Sequence, residues 1–172
     1  MAASIRRPAR RQRSRRGSRI TSGAWRRSLD YWKLANRRRP DRYGRQVQTE
    51  PLPQFRTVNI SKDGHPFGAA AFVEPVLNDL LQKLSAENYL QAVDPKVFAS
   101  RAGFFLGEIN AAHPFREGNG RSQREFIREL GLHAGFVVDW SRVTRDQMTA
   151  ASRESFQTGD SSSLAGLILA SM

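Results

Sequence analysis

From residue 73 onward the apolar positions fall into helical spacing. Val73, Val76, Leu77, Leu80, Leu81 and Leu84 recur at intervals of three and four, the pattern of an amphipathic helix that turns one face to a core. Asp94-Pro95 reads as an N-cap followed by proline at the first helical position, where a missing N–H costs nothing. Phe98, Ala102, Phe105 and Ile109 then line one face of a second helix that runs up to His113. A third helix is expected to begin after Gly120, with Phe126, Ile127 and Leu130 apolar, Arg124, Glu125 and Arg128 charged, and Gly135 as its stop. Thr144 and Gln147 have the spacing of a capping box that opens a fourth helix ending at Gly159, and Ser162 or Ser163 can cap a last one through Leu164, Leu167, Ile168 and Leu169. Upstream, residues 55–60 carry β-branched side chains at short spacing, Asp63-Gly64 is a turn signal, and residues 65–68 form the return of a small β-hairpin. The expected fold is therefore an all-α helical bundle with one hairpin and no internal repeat.

Charge divides the chain. The net +12 resides in residues 1–46, where sixteen Arg or Lys face only Asp30 and Asp41; the other 126 residues hold twelve bases and fourteen acids. Residues 1–53 are accordingly expected to be an Arg-rich tail, mostly disordered and solvated, and residues 54–172 the folded domain. The tail's charge would bind nucleic acid only non-specifically, and its Arg- and Ser-rich, acid-poor composition also resembles an organelle transit peptide. The absence of cysteine excludes disulfides, thiolate metal sites and cysteine nucleophiles. No apolar run reaches membrane-spanning length, so no membrane partner is expected, and the protein is expected to be soluble and cytoplasmic.

The chemistry is concentrated in residues 113–124, where one histidine, one acid, two glycines flanking an asparagine, and several arginines fall between two helices. Taken singly, each has a bland explanation: Gly-Asn-Gly is usually a turn, a histidine near a helix end usually caps or packs, and exposed arginines are usually solvated. Together they describe an anion site. Gly118 and Gly120 permit backbone conformations closed to other residues and close approach of a ligand, and the helix that follows offers free N–H groups and the positive end of its dipole. Arg121 and Arg124 lie three apart on that helix, and guanidinium groups bind phosphate oxygens in a fork. Glu117 would sit badly beside phosphate unless a cation lay between, which suggests a Mg²⁺-bound nucleotide. His113 is the side chain there whose ordinary pKa suits a general base. Phe115 is expected to turn into the core and pin the loop.

Read as a whole, HPFREGNGRSQR (113–124) resembles the signature of the Fic family. FRTVNISKDGHPF (55–67) is similar to that family's flap hairpin, and REFIRELGLHAGFVVDW (124–140) to the helix and turn that follow its motif. The resemblance covers roughly residues 54–172. It implies a Fic-type bundle that transfers AMP from ATP to a Tyr, Thr or Ser hydroxyl of a target protein and releases pyrophosphate. Carried over, His113 is the base, Glu117 binds Mg²⁺, and Gly118, Asn119, Gly120 and Arg121 hold the phosphates. Arg124 grips the terminal phosphates, Lys62 also contacts the nucleotide, and Thr57, Val58, Asn59, Ile60 and Ser61 align the target by strand addition.

The resemblance also marks differences. Relatives with Lys at the position of Gly120, the Doc-type kinases, transfer the γ-phosphate instead, so Gly120 favours AMP transfer. The family's inhibitory pattern, Ser or Thr followed four residues on by Glu and then Gly or Asn, does not occur here, which implies either a separate small antitoxin or no inhibitor. A toxin-like bacterial protein is implied, acting in the cytoplasm or delivered to another cell. The family's usual helices before the flap are not legible in residues 1–53, which suggests a domain lacking its N-terminal helices, through a frameshift, a truncation or a wrong start. The alternatives are transfer of another nucleotide or phosphate-containing group by the same loop, and an inactive Fic remnant with a nucleic-acid-binding basic arm.

Overall fold

The computed structural model describes residues 54–172, residue 63 excepted. The Arg-rich tail, its expected disorder and Asp63 of the turn lie outside the described residues. The remainder is helical apart from one hairpin, in the order β1 (Ser61–Lys62), β2 (His65–Pro66), α1 (Val73–Ala86), α2 (Pro95–Ala112), α3 (Asn119–Ala134), α4 (Arg145–Thr158) and α5 (Ser162–Ala170).

The centre of the bundle is α2. Phe98, Ala99, Ala102, Phe105, Leu106 and Ile109 are all buried, and so are Gly103 and Gly107, which let neighbouring segments pack against its backbone. A Cβ at Gly103 would lie 2.8 Å from the Ala165 nitrogen of α5. Its N-terminus is capped as expected: the Asp94 carboxylate accepts from the Lys96 and Val97 N–H groups at 2.9 and 3.0 Å, with Pro95 in the first turn. Around α2, α1 contributes Val73, Leu77, Leu80 and Leu84, α3 contributes Phe126, Ile127 and Leu130, and α5 contributes Leu164 and Ile168 to the same core.

Other boundaries also follow local chemistry. Gly135 and Gly159 end α3 and α4 in the left-handed conformation that glycine adopts without a Cβ penalty. Thr144 and Gln147 form the reciprocal capping box of α4, Gln147 N–H to Thr144 Oγ1 at 3.2 Å and Thr144 N–H to Gln147 Oε1 at 2.9 Å.

Four expectations require correction. Residues 55–60 form no strand; the ladder is Ser61–Lys62 against His65–Pro66, because the preceding backbone bonds to the loop before α3 instead, Arg56 N–H to Pro114 O at 2.9 Å. Val76 is exposed, since the buried stripe of α1 is narrower than its apolar stripe. The third helix starts at Asn119, so Gly120 lies inside it, and only Gly118 of the two loop glycines has positive φ (83°). Neither Ser162 nor Ser163 caps α5: Ser161 is the capping position without a side-chain bond, its hydroxyl being engaged with Ser155 Oγ at 3.0 Å, and Asp160 accepts the Ser162 N–H at 2.9 Å.

Candidate active site

His113 terminates α2. Its backbone is left-handed (φ 44°), a conformation unfavourable for a residue with a Cβ, and its N–H still bonds to Ile109 O at 3.0 Å. That reversal turns the imidazole back toward the hairpin, where it lies flat on Phe67 with 3.8 Å between ring centroids and 16° between planes. Nδ1 sits 3.3 Å from Asn110 O; with the proton assigned to Nδ1 as donor, Nε2 keeps the lone pair. Burial holds the imidazole below its ordinary pKa of 6.5, opposed by the Asn110 bond and reinforced by the nearby positive charges of Arg56 and Lys62. A neutral imidazole near pH 7 can accept a proton.

The hairpin is fastened to this helix end through Arg56. Its side chain is 3 % exposed, and its guanidinium donates to His113 O at 2.8 Å, Ala112 O at 3.1 Å, Val58 O at 2.9 Å and Gly68 O. One further backbone bond completes the seam, Gly68 N–H to Ala111 O at 3.1 Å, while Phe67 N–H to Ile60 O, also 3.1 Å, closes the hairpin itself. Within the expected target-binding segment, Thr57, Val58, Asn59 and Ser61 are exposed and Ile60 half-buried. Asn59 Oδ1 accepts the Ala70 N–H at 2.8 Å, so this side chain braces the flap from within.

Beyond His113 the loop is pinned as its sequence suggests. Phe115 is buried and its ring lies 5.6 Å from that of Phe55. The Asn119 carboxamide is also buried and spans the loop, its Oδ1 accepting Phe115 N–H at 2.9 Å and its Nδ2 donating to Phe115 O at 2.7 Å. The Asn119 side chain is thus committed to holding the loop. The N-terminus of α3 begins at Gly118 with no side-chain cap and no acid in its first turn, which leaves it electropositive. Glu117, Gly120 and Arg121 are exposed around it and Arg124 is half-buried; a methyl at Gly120 would meet Arg124 Nη1 at 3.6 Å.

A cleft of about 490 Å³ opens on the other side of His113. Lys62, His65 and Phe67 of the hairpin form one wall, Asn110 and His113 its floor, and α4 the opposite wall through Met148, Thr149, Ser152, Arg153, Phe156 and Gln157. His113 and Lys62 thus share this cleft, whereas Glu117, Gly118, Gly120, Arg121 and Arg124 belong to the loop and helix start beside it. No three His, Cys, Asp or Glu side chains cluster among the described residues; Glu117 is an exposed carboxylate beside the start of α3, of the kind that can hold a Mg²⁺ together with phosphate oxygens. None of the helices among the described residues is long and apolar enough to cross a membrane.

Sequence reasoning overlooked the α4 wall, Phe67 and Arg56. Arg56 did carry a signal, a lone cation between Phe55 and Thr57 at the entry of a hairpin, where it can be buried only if backbone carbonyls receive it.

A bundle whose central helix ends in a reversed histidine, lidded by a hairpin and followed by an open glycine-started helix, defines an all-α domain with a hairpin-covered histidine site. The chain belongs to the Fic/DOC family, whose profile matches residues 32–130. It is 45% identical over 113 residues to the protein adenylyltransferase VbhT of Bartonella schoenbuchensis, covering 66% of this chain and 23% of that protein. It resembles the solved N-terminal Fic domain of a VirB-translocated Bep effector of Bartonella quintana with bound ADP (TM-score 0.64, 34% identity, 66% of this chain and 54% of that one). BepC of Bartonella tribocorum with bound AMPPNP is similar (TM-score 0.64, 33% identity, 67% and 56%). The chain thus spans about a quarter of VbhT and about half of each solved chain.

Proposed function

We propose that this domain transfers AMP from Mg-ATP to a hydroxyl of a Tyr, Thr or Ser on a target protein. The observation that carries the proposal is the pairing, one short loop apart, of a neutral imidazole facing a cleft with an uncapped, glycine-started helix N-terminus. The curated name of VbhT and the nucleotides bound in the solved relatives support it.

In this reading Nε2 of His113 takes the proton from the target hydroxyl as its oxygen attacks the α-phosphorus. The new O–P bond forms as the bond from the α-phosphorus to the bridging oxygen breaks, and pyrophosphate leaves with the electron pair. The backbone of residues 118–120 and the start of α3 hold the phosphates, Arg121 and Arg124 fork onto their oxygens, and Lys62 reaches the nucleotide from the flap. Glu117 would hold the Mg²⁺, whose chemistry is to neutralise charge on the phosphate oxygens. Residues 57–61 present the target segment. Gly120, where the Doc-type kinases have Lys, favours AMP over phosphate transfer. The reaction would run in a bacterial cytoplasm or in a cell to which the protein is delivered, with a separate small antitoxin as the candidate inhibitor.

The full chain should label proteins of a bacterial or host lysate from ATP carrying the radiolabel at the α-phosphate and not from ATP labelled at the γ-phosphate, and His113→Ala should abolish the labelling. Transfer from the γ-position, or unchanged labelling by His113→Ala, would overturn the reading; a panel of other nucleotides tests the choice of base.

A further inference from the structure

We infer that Arg56 is the positioning residue of this site, one guanidinium that sets the backbone of His113 and the seat of the flap at the same time. The inference deepens the transferase reading in taking His113 as the base, and its structural part stands on geometry alone.

The last carbonyls of a helix have no partner within it, and the negative end of its dipole lies there. Arg56 fills that position: Nε donates to His113 O at 2.8 Å and Nη2 to Ala112 O at 3.1 Å. The remaining donors face the other way, Nη1 to Val58 O at 2.9 Å before β1 and Nη2 to Gly68 O after β2. Its own N–H bonds to Pro114 O, so the residue touches both sides of His113. Among the described residues no carboxylate pairs with this buried cation; four carbonyls receive it.

The geometry of the group matters here. A guanidinium is planar, with its donors fixed in one fork, so the four carbonyls cannot shift independently while all four bonds hold. A lysine ammonium, with three donors on a flexible stem, reproduces the charge and not the fork. Each ring of the stacked pair is tied to this group: His113 through its own carbonyl, and Phe67 through the adjoining Gly68 carbonyl. The left-handed backbone of His113, which no glycine relieves, is thus held by a bond to its carbonyl. The same cation, with Lys62, adds to the burial that keeps the imidazole neutral; His65 of the hairpin and Arg153 of α4 are the other titratable side chains lining that cleft.

The test compares Arg56→Met and Arg56→Lys with the parent in the full chain, by amide hydrogen exchange and by transfer kinetics. In Arg56→Met the amides of Phe67 and Gly68 should exchange roughly tenfold or more faster while those in the middle of α3 keep their protection, and in Arg56→Lys the acceleration should be smaller. kcat should fall about tenfold or more in Arg56→Met with KM for ATP within about twofold, and Arg56→Lys should recover part of it. If Arg56→Met does not fold, Arg56→Lys carries the test through the same two amides and the same kinetic split. Unchanged exchange at Phe67 and Gly68 in a folded variant, or a loss shared equally by kcat and KM, would overturn the inference. Should the parent transfer nothing, the transferase reading fails and the exchange still decides the role of Arg56.

Discussion

The His113 imidazole lies face to face with the Phe67 ring, 3.8 Å between centroids, so the candidate base and the flap that covers it form one stacked unit. Burial, to which the stacked Phe67 ring contributes one face, is the largest cause of the lowered His113 pKa and fixes the sign of its pH behaviour. The folded imidazole resists protonation more than the unfolded one, so the unfolded chain binds more protons as pH falls below about 6.5. This part of the stability is complete above that value, is lost as pH falls toward the lowered folded pKa, and is level below it. Urea midpoints between pH 8 and 5 should therefore drop in the parent more than in His113→Asn. The acid limb of transfer should lie below 6.5 and move upward in Phe67→Ala, where the imidazole is less buried. A limb that stays in place in that variant would contradict the role given to the stacking.

Asn119 should prove as important to the fold as to the ligand. Its carboxamide satisfies both backbone groups of the buried Phe115, so Asn119→Ala leaves a donor and an acceptor without partners. The expected loss is about 2 kcal/mol of stability, with weaker ADP binding because the start of α3 is no longer tied to the loop. Chemical denaturation and calorimetric titration read the two effects; a variant as stable as the parent would show that the loop is held in another way.

Gly103 and Gly107 test how tightly α2 is packed. A methyl at Gly103 meets backbone, the Ala165 nitrogen at 2.8 Å and its Cα at 2.9 Å, so α5 must move away. Gly103→Ala should cost about 1–3 kcal/mol. At Gly107 the obstacles are the Ser161 and Ser155 hydroxyls, which can rotate at the expense of their mutual hydrogen bond, so Gly107→Ala should be the milder change. Thermal unfolding of both variants checks the order, and equal melting temperatures would refute it.

Much of the helical framework was legible because its signals are local. The Asp94-Pro95 start, the Thr144–Gln147 box, and the Gly135 and Gly159 stops each depend on a few adjacent residues, and each lies where its chemistry put it. Local reading failed where a distant group took over a local one. Residues 55–60 have strand composition, yet the Arg56 side chain bonds to the end of α2 and its backbone to Pro114 just beyond, more than fifty residues away. Ser161 is a good capping residue whose hydroxyl was drawn off by Ser155. The connection between α1 and α2 gives no warning either: Asn88, Tyr89 and Leu90 all have positive φ with no glycine among them, and Leu90 is buried in the core.

By itself the sequence determined the helices, most of their ends, and the ordered run from His113 to Arg124 in which an imidazole, an acid and a helix start follow one another, because those features depend on neighbours in the chain. The tertiary structure decided which ring covers the histidine, which helix faces it across the cleft, and which cation grips its carbonyl. Phe67, α4 and Arg56 reach His113 through space, and such contacts depend on how helices pack around α2, a property that no short stretch of residues carries.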